Sequence, residues 1–411
     1  MSDILNKKGA IVISLLGAGV FVIAAFFVVP TLFSYEYAPV EAVKDAVSET
    51  VKESFKPQVK HMSTPKAVRA IYMTQCAAAT PSFRERLTSL IESTELNSII
   101  IDIKDYTGTV AFSREGKENG GGGCMVEDMK ELVEYFHDRD IYVIGRVTVF
   151  QDPYRANAHP EWAVLRASDG AVWRDDKGLS FIDVSARPYW DWVVELTKDS
   201  YALGFDEINF DYIRFPSDGN LRDITFPHSG DRPKYRALED FFEYLSSELE
   251  DVGVVTSADL FGMTATAQDD MNIGQILERA LPYFDYIAPM VYPSHYPAGY
   301  NGYGNPNHNP YGVIYHALSS AVERAIATST RFDVKGAVQL PTSTSTPQVR
   351  YAKPAFDKDV IRPWLQDFDY GGDYGPEEVR AQIQATYDVG LDSWMLWDPA
   401  NRYTPEALES S

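Results

Sequence analysis

The chain has 411 residues, 45% of them apolar, and a formal net charge of -22 at pH 7. That length supports one large core or two smaller ones. The negative balance argues against nucleic acid as a partner, because a phosphate-binding surface needs the opposite sign. Neutral substrates are compatible with it.

Residues 9–29 (GAIVISLLGAGVFVIAAFFVV) carry no charge. At about 1.5 Å per residue this run crosses a hydrocarbon core of about 30 Å. Lys7 and Lys8 precede it, and no Lys or Arg follows until Lys44. The positive-inside rule then puts residues 1–8 in the cytoplasm and the rest outside a single-pass cell membrane anchor. A cleaved signal peptide is the rival reading, but the run is longer than a signal core and no small-x-small site follows. Residues 30–65 are mixed in charge, with prolines at 39, 57 and 65, and read as a juxtamembrane stalk.

A regular alternation begins near residue 66 and continues to about 405. Candidate strands are 67–74, 96–105, 141–150, 205–215, 254–262, 285–293, 333–341 and 391–399, separated by seven amphipathic helical stretches. Eight strands alternating with helices predict a (β/α)8 TIM barrel after one N-terminal transmembrane helix. Helix-to-strand links are short, whereas strand-to-helix links are long: 106–125, 151–186, 217–233, 294–310 and 342–375. In barrels that elaboration marks the active-site end. A doubly wound sheet is the competitor, but no phosphate-binding glycine fingerprint follows the first strand. Cys76 and Cys124 follow the first and second strands, so they form either a disulfide or two small buried thiols.

The fourth strand, within FDEINFDYIRFP at 205–216, is the most informative segment. Glu207, Asn209 and Asp211 share one face and Ile208, Phe210 and Tyr212 the other. A polar file inside a closed barrel points to an active site. Strict alternation on the other strands sends Asp102 and Lys104, Arg146, Ser257 and Asp259, Met290 and Tyr292, Gln339, and Met395 and Trp397 inward as well. Lys104 and Arg146 are the expected ion-pair partners of Asp102 and Glu207, since isolated buried charges are costly. Asp211 and Asp259 stand late on neighbouring strands. Two carboxyl groups flanking a scissile bond are what glycoside hydrolysis needs, one protonated and one ionised. They are the candidate catalytic pair. Asp102, Lys104, Arg146, Glu207, Asn209, Arg214, Tyr292, Gln339, Trp397 and Asp398 form the candidate substrate-binding set. Loop aromatics Trp162, Trp173, Tyr296, Tyr300, Tyr303 and Trp364 suit stacking on sugar rings, although loop aromatics also serve to pin their own loops. The scattered histidines lack ligand spacing, so no metal and no cofactor is expected.

Seven segments resemble the bacterial putative glycoside hydrolase domain family: IDIKDYTGTVAF, IGRVTVFQDP, HPEWAV, GFDEINFDYIRFPSDG, ADLFGMT, YIAPMVYPSHY and SWMLWDPANRY. Together they span roughly 66–403. The resemblance implies a glycosidase-type barrel with Asp211 as the strand-four carboxylate. The strand-four pattern, Met-x-Tyr on strand six and Trp at the end of strand eight are also similar to chitinase-type barrels. There the acid is a Glu at the position of Asp211, and amylase-type barrels carry a Glu where this chain has Asp259. The resemblance therefore supports sugar chemistry and leaves the acid unassigned. The expected protein is a membrane-anchored, extracytoplasmic glycosidase acting on a surface or wall polysaccharide. A non-catalytic glycan-binding barrel is the alternative.

Overall fold

A computed structural model describes residues 59–117, 119–120, 122–341 and 348–411. The expected cytoplasmic tip, the anchor at 9–29 and most of the stalk lie outside the described residues. Among those described, no helix is long and apolar enough to cross a membrane.

The barrel strands are β1 (Arg69–Met73), β2 (Ser98–Lys104), β3 (Tyr142–Thr148), β4 (Glu207–Asp211), β5 (Val255–Phe261) and β6 (Tyr286–Met290). Three short strands follow, β7 (Ser329–Thr330), β8 (Val338–Gln339) and β9 (Tyr351–Ala352), before β10 (Trp364–Gln366) and β11 (Trp394–Trp397) complete the barrel. The closed order is β1-β11-β10-β6-β5-β4-β3-β2, and every pairing is parallel. The (β/α)8 expectation therefore holds for the barrel.

Local sequence explains the elements. All seven residues of β2 (SIIIDIK) are buried, the β-branched run of a strand covered on both faces. The helices between strands are α1 (Gln75–Ala79), α2 (Pro81–Ser93), α3 (Met129–His137), α4 (Pro153–Ala158) and α5 (Arg187–Tyr201). Then come α6 (Lys234–Leu249), α7 (Leu277–Ala280), α8 (Pro310–Ile326) and α9 (Pro376–Asp388). Several start on side-chain caps: Asp128 accepts from Glu131 N before α3, and Asp152 from Arg155 N before α4. Gly204, at φ 110, makes the tight turn from α5 into β4. The outer core fills the space between helices and strands. A separate inner cluster, including Val68, Tyr72, Ile100, Tyr142, Ile144 and Trp364, fills the barrel itself.

Residues 59–65, read from sequence as the end of the stalk, pack against the floor of the barrel. The Met62 amide donates to Asp206 Oδ1 at 2.6 Å, and His61 Nδ1 donates to the Phe205 carbonyl at 3.2 Å. The His61 ring stacks on Tyr201 at 3.9 Å, and Met62 reaches the inner cluster.

The seventh strand corrects the sequence reading. The segment at 333–341 is not in the barrel. Its Val338 and Gln339 pair with β9 in a three-stranded antiparallel sheet, and both are exposed. Gly336, at φ 73, breaks the extended run just before them. Gln339 is therefore not an inward-facing residue. The true strand is β10, which alternation cannot reveal because it has three residues, all buried, directly after Pro363. The helical stretch expected between the strands at 254–262 and 285–293 shrinks to the single turn of α7.

Candidate active site

The carboxyl ends of the strands open into a cavity of about 1210 Å³. Of the predicted residues, Arg146, Asp211, Arg214, Asp259, Tyr292, Trp397 and Asp398 line it. The pairing of β4 with β5 sets Asn209 beside Ser257 and Phe210 beside Ala258. The same register carries Asp211 level with Asp259. Neighbouring strands lie about 4.8 Å apart.

One guanidinium ties the centre together. Arg146 Nη1 donates to Asp102 Oδ1 at 2.6 Å, Nη2 donates to Asp211 Oδ2, and Nε lies 3.9 Å from Asp259 Oδ2. The Arg146 guanidinium also sits over the Trp397 ring, 4.9 Å from its centroid. Trp397 in turn stacks on Tyr72 at 4.0 Å, and the Tyr72 hydroxyl donates to Asp102 Oδ2. Asp102 is thus the partner of Arg146, as expected, but it does not line the cavity.

The two carboxyls are held differently. Asp211 Oδ1 accepts from the amide of Tyr212, whose φ of 51 places a non-glycine residue in the left-handed region. That strained turn ends β4 and fixes the Asp211 carboxylate against Arg146. Asp259 Oδ1 accepts from Asn209 Nδ2 at 2.8 Å and from Trp364 Nε1 at 2.7 Å. With both donors on one oxygen, Oδ2 is the oxygen turned toward Arg146. Asp259 is 1% exposed, and burial followed by the charge of Asp211 pushes it well above the usual carboxylate range. Burial also raises Asp102, against the pull of Arg146. The Tyr292 hydroxyl is raised by burial and then by Asp259 and Asp211.

Besides Asp102 and Gln339, three more predicted binding residues are placed away from the cavity. Lys104 is fully buried and points to the outer side. The register slips between Asp102 and Lys104, so that Lys104 pairs with Val147 of the outer core. Its Nζ donates to the Thr148 carbonyl and forms an ion pair with Asp152 at 3.2 Å, not with Asp102 or Glu207. Burial lowers its pKa to about 8. Glu207 lies deeper in the barrel, with Arg362 Nη1 at 2.9 Å from both oxygens and the Tyr142 hydroxyl at 3.2 Å. Its partner is therefore Arg362, not Lys104 or Arg146. Asn209 serves Asp259 from below, as described, and also donates to Ser257 Oγ at 3.1 Å.

The loop aromatics are also redistributed. Trp173 is 1% exposed, packs with Val164 and Phe181, and donates from Nε1 to the Asn220 carbonyl. Trp162 stacks on His159, and Tyr296 packs at a tilt against Tyr300. These rings pin their own loops, and none lines the cavity. Trp364 belongs to β10. The rings that do line it include Tyr212, Tyr292, Phe368, Tyr370 and Trp397. The segment QDFDYGGD after β10 also supplies Asp367 and Asp369, which sequence reasoning missed because it misplaced this strand. Asp367 accepts from Thr404 Oγ1 at 2.7 Å and from its amide at 3.0 Å, and burial pushes its pKa up to about 6. No group of three or more His, Cys, Asp or Glu among the described residues could hold a metal ion. At the same end of the barrel, Cys76 and Cys124 form a disulfide with Cα atoms 4.9 Å apart, and Cys76 is exposed, not a buried thiol.

A (β/α)8 barrel with paired carboxyls under an aromatic-lined cavity is the architecture of sugar-cleaving barrels. Residues 70–403 match the family described as "Putative glycosyl hydrolase domain", and the chain belongs to that family. It carries a glycosidase domain. A hypothetical protein from Ruminiclostridium thermocellum is 32% identical over 46% of this chain and 96% of its own, with a TM-score of 0.42. The glycoside hydrolase domain of PgaB (BpsB) from Bordetella bronchiseptica is 12% identical, covering 84% of this chain and 99% of its own, with a TM-score of 0.55. That likeness supports the fold. The α-galactosidase TtGalA from Thermus thermophilus, solved in complex with stachyose, is 13% identical over 85% of this chain and 65% of its own, with a TM-score of 0.48. No curated protein matches the chain.

Proposed function

We propose that the protein is a membrane-anchored, extracytoplasmic glycoside hydrolase that cleaves O-glycosidic bonds of a cell-surface or cell-wall polysaccharide. The observation that carries the hydrolase reading is the Asp211–Arg146–Asp259 arrangement at the base of the cavity. The uncharged run at 9–29 supports the anchor, and the Cys76–Cys124 disulfide suits an oxidising compartment.

Asp259, buried and raised, is the general acid and gives its proton to the glycosidic oxygen as the leaving group departs. Asp211, neutralised by Arg146 until substrate arrives, attacks the anomeric carbon and forms a glycosyl-enzyme ester. Asp259, now ionised, takes a proton from water, whose oxygen displaces Asp211 from that carbon. Asp211 and Asp259 stand level on adjacent strands, and we read the pair as a retaining one, which needs carboxyls about 5–5.5 Å apart. Tyr292 and Trp397 bound the subsite at the reacting sugar.

The test is reducing-end release by the full-length protein over a panel of wall and capsule glycans, beside Asp211→Asn and Asp259→Asn. Release that falls by about 10²–10⁴ in the acid variant, with products of retained anomeric configuration by NMR, supports the assignment. Release unchanged in either variant rejects it. Binding without release, in wild type and variants alike, makes the protein a glycan-binding barrel.

A further inference from the structure

Asp367 and Asp398 end β10 and β11, and both line the cavity. In the closed order, β11 lies four strands round from β4, so this wall faces Asp211 across the mouth. Asp367 is 3% exposed and Asp398 7% exposed. Their hydrogen-bond donors are neutral: Thr404 for Asp367, and the backbone amides of Ala400, Asn401 and Arg402 for Asp398. Neither forms an ion pair among the described residues, although the charge of the exposed Arg402 is felt at Asp398. The two carboxyls repel one another, and the exposed Asp369 adds to that repulsion at Asp367.

Asp367 is nearly buried with no cation beside it, and next to it Asp398 has only the exposed Arg402, which also lines the cavity; carboxyls so placed are costly. A bound cation removes that cost. The acids do not converge into a metal-binding group. Beside them the wall is aromatic: Tyr292 meets Phe368 at 5.6 Å, and His295 lies between Phe368 and the exposed Tyr370. Tyr292 is nine-tenths buried, lines this cavity, and its hydroxyl has no hydrogen-bond partner among the described residues. Flat rings suit sugar faces, an open hydroxyl suits a sugar hydroxyl, and unpaired carboxyls suit an ammonium.

We propose that the Asp367–Asp398 wall is a subsite for a sugar-borne primary ammonium, so that the substrate is a glycan containing free, non-acetylated amino sugars. This deepens the hydrolase reading and rests on it. The subsite itself is tested by binding alone.

Isothermal titration of full-length Asp211→Asn protein compares a glucosamine tetramer with the N-acetylglucosamine tetramer at pH 7. The amine form is expected to bind about tenfold more tightly, the scale of one charge-assisted hydrogen bond. That preference shrinks in high salt, and adding Asp398→Asn reduces it to about twofold or less. Equal affinities, preference for the acetylated form, or no binding of either overturns the proposal. A preference that survives both Asp398→Asn and Asp367→Asn also overturns it, and thermal melts confirm that each variant is folded. Turnover by the unsubstituted protein is scored separately. Amine-selective binding without turnover keeps the subsite and removes the hydrolase reading. Turnover of a neutral glycan without amine selectivity does the reverse.

Discussion

Trp364→Phe probes the reaction centre without touching either carboxyl. The indole N–H lies 2.7 Å from Asp259 Oδ1, and Asn209 supplies the second donor at 2.8 Å. Phenylalanine keeps most of the ring and deletes the donor. A hydrogen bond to a charged group is worth about 1.5–3 kcal/mol and to a neutral group about 0.5–1.5 kcal/mol. Losing it therefore disfavours the ionised form by roughly 1–1.5 kcal/mol, or about one pH unit. The donor favours the anion, so its removal moves Asp259 still further up, and Asp259 stays protonated to higher pH. The assay is a 13C NMR titration of labelled Asp carboxyls, with Asp259→Asn giving the assignment. It needs no substrate. Once a substrate is known, the alkaline limb of the kcat profile moves the same way if Asp259 is the acid. A midpoint that stays put or falls refutes the view that Trp364 stabilises the Asp259 anion.

Asp367→Asn tests pH-linked stability. The folded-state pKa of Asp367, about 6, lies above that of a free carboxyl. Its contribution is therefore complete below about pH 4 and is lost as pH rises through about 6, some 2–3 kcal/mol in all. Denaturant melts should show the stability difference, variant minus wild type, growing by about that amount from pH 4 to pH 7. Arg362→Met strands Glu207, which is fully buried, and should cost about 3–5 kcal/mol in the same assay. Adding Glu207→Gln should recover much of the loss. Replacing Cys76 and Cys124 by serine opens a loop with a sequence separation of 48 residues. Chain entropy sets that loss at about 4 kcal/mol, read as a fall in Tm that reductant reproduces in the wild type.

Seven of the eight barrel strands were legible because each is long enough to show alternation or an apolar run bounded by turns. FDEINFDYIRFP declares both its faces, and β4 indeed directs Glu207, Asn209 and Asp211 to the inside. β10 was hidden because three buried residues carry no period, and Val338–Gln339 offered a more strand-like decoy nearby. That error hid Asp367 and misread Trp364, a core residue and donor to Asp259, as a loop platform. Lys104 failed for a different reason. Alternation assumes a regular strand, and the slip after Asp102 reverses the side on which the next charge emerges. The ion-pair partner of Glu207 lies 155 residues away, beyond the reach of any local pattern.

The floor of the barrel has its own consequence. Residues 59–65 enter beneath Phe205 and Asp206, at the end of the strands away from the cavity mouth. The segment that leads into the barrel at residue 59 is therefore also its plug, so trimming into 59–65 uncovers the inner cluster from below while the lining of the mouth stays as it is.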